Sequence, residues 1–273
     1  MVATPIGNLQ DITLRAQAVL AAVDAIAAED TRHSQRLLDA YGIRSRLVAL
    51  HEHNEQAAVG QLIRLLEAGQ HVALISDAGT PAISDPGARA VARVREAGFP
   101  VVPIPGACAA VAALSASGFV ENGFQFVGFL PARPAARRAS IDGLRTVAVP
   151  LVFYESPHRI VECVHDLAEI LEPTRELVIA RELTKLFEQI KRLPLAAAEA
   201  WLAADPNRSR GEFVLIVGAA PVPAVEGLDP EAERVLALLV AELPLKSAAR
   251  LAAQLTGAPR NALYARALEL KAE

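Results

Sequence analysis

Two short stretches of this chain place acids, and in one case a lysine, where strands should end. The first is Ile75-Ser-Asp-Ala-Gly-Thr-Pro-Ala-Ile-Ser-Asp-Pro-Gly87, which follows the apolar run His71-Val-Ala-Leu-Ile75. A β-branched run that breaks into Ser-Asp-Ala-Gly-Thr-Pro reads as a buried parallel strand opening into a loop. Gly79 and Gly87 permit left-handed backbone or close approach, and Pro81 and Pro86 stiffen the path. Asp77 sets a carboxylate at the strand's carboxyl end, where open α/β sheets bind ligands. The loop is therefore expected to hold a ligand; the alternative is a turn whose Asp and Ser residues cap a helix. The second stretch, Arg181-Glu-Leu-Thr-Lys185, follows the apolar run Leu177–Ala180. Glu182 and Lys185 should project from that strand's end and are the candidate catalytic, proton-handling pair. Their alternative is a surface ion pair or a phosphate contact.

Two further stretches share this grammar. Val101-Val-Pro-Ile-Pro-Gly-Ala-Cys-Ala-Ala-Val-Ala-Ala-Leu114 combines a short apolar strand, a Pro-Gly turn and very small residues opening a helix. Small side chains there let backbone amides approach a ligand; the alternative is a helix packed tightly on a sheet by its alanines. At the start of the chain, Thr4 to Asn8 make a turn, and Asp11 or Thr13 can cap the helix that follows. Glu29-Asp-Thr-Arg32 and His51-Glu-His-Asn-Glu55 also end apolar runs, and they are assigned to substrate positioning, with helix capping by Asp30 or Asn54 as the alternative. No Gly-x-Gly-x-x-Gly follows the first strand and no Gly-x-x-x-x-Gly-Lys-Ser/Thr occurs, which disfavours a conventional dinucleotide fold and a P-loop phosphotransferase.

The elements that must position these loops follow from periodicity. Up to about residue 118, apolar runs at 24–28, 47–50, 72–75 and 101–104 alternate with amphipathic helical patterns at 55–68 and 88–97. This is a βαβ signature and predicts a mainly parallel sheet. Ser117-Gly118 and Glu121-Asn-Gly123 form a hinge. Beyond it, strands are expected at 124–129, 151–154, 177–180 and 213–217, with helices at 157–171 and 196–203. The expected architecture is thus α/β: an N-terminal α/β domain (1–118), a second α/β domain (119–220) with a cleft between them, a Pro/Ala linker at 219–225, and a C-terminal helical tail (228–273). In the tail, 245–255 and 259–270 read as helices about a Thr256-Gly257-Ala258 turn, with Pro259 allowed in the first turn of the second. The Ala253 to Gly257 spacing is helix-turn-helix-like.

Composition sets limits. With 273 residues and 52% apolar content, the chain can bury one or two ordinary cores, and no uninterrupted apolar segment is long enough to span a bilayer. Only Cys108 and Cys163 occur, without metal-like spacing or a signal peptide, so neither a disulfide framework nor a zinc site is implied. His51-x-His53 lacks a third ligand, and no metal is expected. A cytoplasmic enzyme is the expectation.

These stretches together resemble the tetrapyrrole methylase superfamily, the class III S-adenosylmethionine-dependent methyltransferases. The resemblance rests on Ala3-Thr-Pro-Ile-Gly-Asn-Leu9, Ala28-Glu-Asp-Thr-Arg32, His51-Glu-His-Asn-Glu55, the 75–87 loop, Pro105-Gly-Ala-Cys108, Gly128-Phe-Leu-Pro131, Phe153-Tyr-Glu-Ser-Pro-His-Arg159, Ala180-Arg-Glu-Leu-Thr-Lys185 and Gly211-Glu-Phe213, in family order over almost the whole chain. The nearest branch methylates a cytidine ribose 2'-oxygen of 16S rRNA in the small ribosomal subunit. The resemblance implies S-adenosyl-L-methionine in the interdomain cleft. It puts cofactor contacts at Pro5, Ile6 and Gly7, at Asp77, Ala78 and Thr80, at Pro105, Gly106, Ala107, Cys108 and Ala109, and at Tyr154, Arg181, Glu212 and Phe213. It also implies a homodimer. In the family a longer strand precedes the Thr-Pro-Ile-Gly-Asn turn, whereas here only Met1, Val2 and Ala3 do, so the first strand is short or the true start lies upstream.

The net charge of −4 requires any RNA contact to be local. Positive charge gathers at Arg133, Arg137, Arg138 and Arg145, expected as a mobile loop over the active site with an ordinary solvated loop as the alternative, and at Lys246, Arg250, Arg260, Arg266 and Lys271 in the tail, an expected RNA-docking appendage with a plain helical hairpin packed on the second domain as the alternative. With Asp30, Arg32, His51 and Asn54, the residues Arg133, Arg137, Arg138, Arg260 and Arg266 are the expected RNA contacts. Two other functions remain open: the same cofactor with a tetrapyrrole or other small-molecule acceptor, because fold does not fix function, and a non-catalytic ribosome-binding module.

Overall fold

The computed structural model describes residues 1–51, 55–85, 87–221 and 228–271, which fall in two compact units, Met1–Pro221 and Val222–Glu273. The first unit opens with helix α1 (Leu14–Ala22), capped by Thr13, whose hydroxyl accepts the Ala16 N–H at 3.0 Å. Strand β1 (Ala25–Ala28), helix α2 (Thr31–Ala40), strand β2 (Arg46–Ala49), helix α3 (Glu55–Glu67), strand β3 (Val72–Ile75) and helix α4 (Ala88–Glu96) follow. The three strands are parallel in the order β2-β1-β3. Every residue of β1 is buried, as expected for a central parallel strand with helices on both faces. Ile26 and Ile75 pack with Leu20 and Leu38 on one face, and Ala27 and Leu74 pack with Leu62 and Ala90 on the other.

The chain's first residues extend this sheet. Val2 donates its N–H to Leu74 (2.9 Å), Ala3 donates to Ile104 (3.3 Å), and Ile104 donates back to Met1 (2.8 Å). The segment Met1–Ala3 thus lies between β3 and the 102–104 run. The strand expected at 101–104 is reduced to a single parallel bridge, Val2↔Ile104, because Pro103 and Pro105 cannot donate to a ladder.

Helix α5 (Ala109–Ser115) leads through turns at Gly118 and Gly123 to strand β4 (Gln125–Phe129), helix α6 (Pro134–Asp142), strand β5 (Leu151–Glu155), helix α7 (Ile160–Ile170), strands β6 (Glu176–Arg181) and β7 (Gln189–Pro194), helix α8 (Leu195–Ala203) and strand β8 (Phe213–Val217). The second sheet has the order β4-β5-β8-β6-β7, with β4 and β5 parallel and the remaining neighbours antiparallel. One face buries Phe153, Ile160, Leu167, Ile179, Leu195 and Leu215. On the other face, Ala110 and Ala113 of α5 sit against Val152, Val178, Val214 and Ile216, so the alanine-packed helix is realised.

Two segments differ from expectation. The arginine-rich stretch after Pro131 is the ordered helix α6, not a loop. It is fixed by a buried ion pair in which Arg137, only 2% exposed, donates from Nε to Asp166 at 2.6 Å and from Nη2 to Glu162 at 3.2 Å. Arg138 reaches both Asp166 and Glu169. Strand β7 has no apolar alternation, since it is an edge strand with Lys191 and Arg192 exposed.

The second unit is a three-helix bundle of α9 (Pro230–Glu242), α10 (Leu245–Thr256) and α11 (Arg260–Leu270) around Ala232, Leu236, Ala249, Ala252, Leu263 and Ala267. Helix α9 begins with an Asp229 cap and Pro230 in its first turn and adds a third helix to the two expected in the tail. Gly257, at φ +74°, closes α10 in the left-handed conformation and sets the turn to α11. Of the expected linker, residues 222–225 lie outside the described ones.

Burial alone would raise the Asp166 carboxyl, but the bonds from Arg137 and Arg138 outweigh it and hold its pKa below the usual carboxylate range. The pair's contribution is therefore present above the unfolded Asp range and is lost as pH falls through the lowered value. Asp166→Asn leaves the buried Arg137 only its longer bond to the exposed Glu162 and should cost about 3–5 kcal/mol. Urea denaturation at neutral pH checks this, and the gap between wild type and variant should close in acid.

Candidate functional site

Three loops at the carboxyl ends of the first sheet are tied to one another. Thr4, 1% exposed, exchanges backbone hydrogen bonds with Gly79 at 2.9 and 3.1 Å. Thr80 donates its hydroxyl to the Ala107 carbonyl at 2.9 Å. Gly106 lies so close to the first loop that a Cβ there would fall 2.7 Å from the Ala3 Cβ. Gly79, at φ +80°, has a conformation L-residues rarely adopt. The turns read from sequence at Thr4–Asn8, 75–87 and Pro105–Ala109 are therefore one interlocked assembly.

That assembly and the second sheet border a cavity of about 350 Å³. The loops contribute Ile6, Ala78, Gly79, Thr80, Ile83, Ser84, Asp85, Cys108 and Ala109. The second sheet and its connections contribute Phe129, Tyr154, Glu155, Ser156, Pro157, Ala180, Leu183, Glu212, Phe213 and Val214. The wall is mostly apolar with a few polar groups, the usual make-up of a small-molecule site. A separate groove of about 550 Å³ lies at the amino ends of the strands, lined by Val19, Leu62, Val94 and Phe99 among others, with Arg15, Gln70 and His71 on its wall.

Tyr154 is the polar anchor of the sheet side. Its hydroxyl accepts the Ala110 N–H at 3.2 Å, a first-turn donor of α5 with no partner inside the helix. Phe126 and Phe129 meet its ring edge-on at 5.1 and 5.7 Å. Burial, then the neighbouring Cys108, pushes the phenol well above its usual range, so it stays neutral. Across the cavity the acids gather. Burial, reinforced by Asp77 and opposed by the neighbouring Ser76 hydroxyl, raises Asp85, and burial with Asp77 and Asp85 raises Glu29.

Backbone strain marks the same place. Among the described residues, Ala82 (φ +69°), Ser84 (+63°), Glu182 (+52°) and Thr184 (+66°) are the non-glycine residues with positive φ. The first two lie in the 75–87 loop and the others in the turn after β6. Such strain persists where surrounding contacts over-determine the backbone, which is common at functional sites.

Glu182 and Lys185 form a triad with Glu212. Lys185 Nζ donates to Glu182 at 3.0 Å and to Glu212 at 2.7 Å, and Glu182 also accepts the Glu212 N–H at 2.9 Å. A Cβ on Gly7 would lie 2.5 Å from the Lys185 stem, and one on Gly211 would lie 2.5 Å from the Glu182 carboxyl, so glycine is required at both for this packing. Burial opposes both charges, yet the mutual bonds prevail: Glu182 lies below its usual range and Lys185 above. Both are charged at neutral pH, which suits an ion pair and not a proton shuttle. Neither lines the cavity.

Of the other expected site residues, Ile6, Ala78, Thr80, Cys108, Ala109, Tyr154, Glu212 and Phe213 line the cavity. Pro5, Gly7, Asp77, Pro105, Gly106 and Ala107 stand behind it: Asp77 accepts the Asp30 N–H at 3.1 Å and Ala107 accepts Thr80. Arg181 is turned to the Arg210 and Phe187 carbonyls. Asp30 caps α2 through the Arg32 and His33 N–H groups, the alternative role. Arg32, Arg133 and Arg260 are exposed and His51 is half-buried, while Asn54 lies outside the described residues. Arg137 is a correction: buried in its ion pair, it offers no surface to RNA. Arg138 is paired with acids of α7, and Arg266 bonds Glu233 of α9 and Glu269, all within their own units. Asp85, Ser84, Phe129 and Leu183 are lining residues that the sequence reading left out. All four stand inside stretches singled out from the sequence, Asp85 and Ser84 in the 75–87 loop, Phe129 in Gly128-Phe-Leu-Pro131 and Leu183 in Arg181-Glu-Leu-Thr-Lys185.

A parallel sheet joined to a mixed sheet, with a cavity of interlocked loops where they meet, defines an α/β enzyme fold built around a bound small molecule. Residues 1–199 match the family described as Tetrapyrrole (Corrin/Porphyrin) Methylases, and residues 226–271 match the RsmI C-terminal HTH domain; the chain belongs to the tetrapyrrole methylase family. It is 51% identical over 270 residues to the Ribosomal RNA small subunit methyltransferase I of Pseudomonas aeruginosa, covering 98% of this chain and 96% of that protein. Among solved structures, a cobalt precorrin-4 methyltransferase of cobalamin biosynthesis superposes with a TM-score of 0.61 at 15% identity, covering 81% of this chain and 95% of that one. The uroporphyrin-III C-methyl transferase of Thermus thermophilus, solved with S-adenosyl homocysteine, superposes with a TM-score of 0.56 at 18% identity, covering 80% and 95%. At these identities the structural likeness shows the fold. The chain is a methyltransferase.

Tyr154→Phe removes the acceptor of the Ala110 N–H at the joint between loops and sheet. It is expected to lower stability by about 1 kcal/mol, measured by urea denaturation; an unchanged midpoint would contradict the joint.

Proposed function

We propose that the chain methylates the ribose 2'-oxygen of a cytidine in the 16S rRNA of the small ribosomal subunit, using S-adenosyl-L-methionine. The observation that carries this is the end-to-end similarity to a ribosomal RNA small subunit methyltransferase I, helical C-terminal unit included. The cavity fits the cofactor: its size and its mostly apolar wall with a few polar groups suit a nucleoside bearing an amino-acid arm, and Gly79 and Gly106 let the loops that form that wall pack directly on one another. Ile6, Ala78, Thr80, Cys108, Ala109, Tyr154, Glu212 and Phe213 would hold it, with Pro5, Gly7, Asp77, Pro105, Gly106, Ala107 and Arg181 behind them. When bound, the cofactor supplies a methyl group on a positively charged sulfur.

The rest is positioning. Methyl transfer needs an acceptor oxygen held in line with the carbon it attacks, and a rigid cradle supplies the alignment. In this reading the Glu182–Lys185–Glu212 triad locks the turn after β6 against Gly7. The exposed Arg32, Arg133 and Arg260, with His51 and Asn54, supply the local RNA contacts that a chain of net charge −4 needs. The helical C-terminal unit serves as the RNA-docking appendage. A homodimer in the cytoplasm belongs to the same reading.

Transfer of radiolabelled methyl to small subunits lacking ribose methylation, followed by mapping, tests the proposal. Label at a single 2'-oxygen of 16S rRNA is expected. Cofactor binding without label would point to a small-molecule acceptor, and no binding would point to a non-catalytic ribosome-binding module. Arg32→Ala and Arg260→Ala should each weaken subunit binding and reduce the slope of log affinity against log salt by about 1; an unchanged slope would remove that residue from the interface.

A further inference from the structure

Removing the proton of an acceptor hydroxyl calls for a group that is unprotonated at neutral pH yet not tied up in ion pairs. Glu182 and Lys185 do not meet this, because each neutralises the other and neither lines the cavity. Tyr154 faces the cavity as a neutral phenol, with its oxygen engaged by Ala110. Cys108, on the same wall, lies 3.9 Å from that phenol.

Asp85 has the required placement. It lines the cavity on the loop side, between the strained Ser84 and helix α4, and it is half-buried. Its charged surroundings are acidic: Asp77 follows β3, and Glu29, at the end of β1, responds to both Asp77 and Asp85. The Ser76 hydroxyl, which donates to the Ala78 carbonyl at 3.3 Å, is close beside it, and the Tyr154 phenol opposite is within its electrostatic reach. Among the described residues, no cation shifts it. We propose that Asp85 is the general base of the reaction. The acceptor hydroxyl gives its proton to an Asp85 carboxylate oxygen, and the electron pair left on the acceptor oxygen forms the new bond to the methyl carbon. As that bond forms, the carbon–sulfur bond breaks and its pair returns to sulfur, which becomes a neutral thioether. The proton on Asp85 then passes to solvent at the open side of the loop. Burial and the neighbouring acids raise the affinity of this carboxylate for a proton, matching it to the task.

The proposal rests on the methyltransferase reading, and the test separates the two. Asp85→Asn and Asp85→Glu are compared with wild type for methylation of small subunits, for S-adenosylhomocysteine affinity by calorimetry, and for carboxyl ¹³C NMR titration. Asp85→Asn is expected to lose about 10²–10⁴-fold in kcat, with KM for subunits and the calorimetric Kd within threefold of wild type (~3-fold, under 1 kcal/mol). Asp85→Glu, which keeps the carboxylate, should recover part of the loss. A carboxyl resonance titrating above the ordinary aspartate range should be present in wild type and missing in Asp85→Asn. An Asp85→Asn variant with near-normal kcat, or one whose loss is matched by weakened cofactor binding, would overturn the assignment, the latter making Asp85 an anchor for the cofactor. A wild type that binds cofactor but labels no ribosomal RNA would overturn the acceptor reading and this proposal with it.

Discussion

The structure depends on the clamp that makes three separate loops one surface. The Thr4–Gly79 backbone exchange, the Thr80–Ala107 hydrogen bond and the contact of Gly106 with Ala3 join segments that are far apart in sequence. Each linkage uses backbone, the half-buried Thr80 hydroxyl or a close packing contact, so none of them depends on a titrating group. The Gly79 φ of +80° and the closeness of Gly106 to Ala3 mean that neither position accepts a side chain without displacement. Holding a ligand in one orientation requires this rigidity, since small misplacements of reacting atoms are costly in rate.

The second sheet completes what the loops begin. Alanines at 110 and 113 allow α5 to sit close on Val152, Val178 and Ile216, and that closeness brings the Ala110 N–H to Tyr154. Charge is segregated around the cavity. Glu29 and Asp77, at the ends of β1 and β3, gather with Asp85, while the lysine after β6 is held between two carboxylates. A site that is mostly apolar makes such differences felt, because charges are poorly screened there. Away from it, the Arg137–Asp166 pair spends its charge on fixing α6 to α7.

Much of the fold was legible in the sequence because burial on both faces leaves a plain mark. Ala25–Ala28, Val72–Ile75, Leu151–Tyr154 and Phe213–Val217 are continuous apolar runs, and all four are strands. The edge strand β7 left no such mark, since its exposed Lys191 and Arg192 follow no apolar alternation. Helix α6 was hidden for a different reason: Arg137 is a core residue only because Asp166, on another helix, meets it. The site was legible at the level of loops. Eight of the expected cofactor contacts line the cavity, among them Ile6, Thr80, Tyr154 and Phe213. What the sequence could not display was electrostatic context. Glu182 and Lys185 look like a proton-handling pair until Glu212 is seen beside them, and Asp85 looks like a turn residue until Glu29 and Asp77 are seen around it.

Hydrogen–deuterium exchange with and without S-adenosylhomocysteine tests the central claim, that the three clamped loops and Tyr154 form a single cradle for the cofactor. Amides of the Thr4–Asn8 turn, the 75–85 loop and the start of α5 should gain protection together and to a similar extent. Protection confined to one loop, or appearing instead in the groove at the amino ends of the first sheet, would contradict the account.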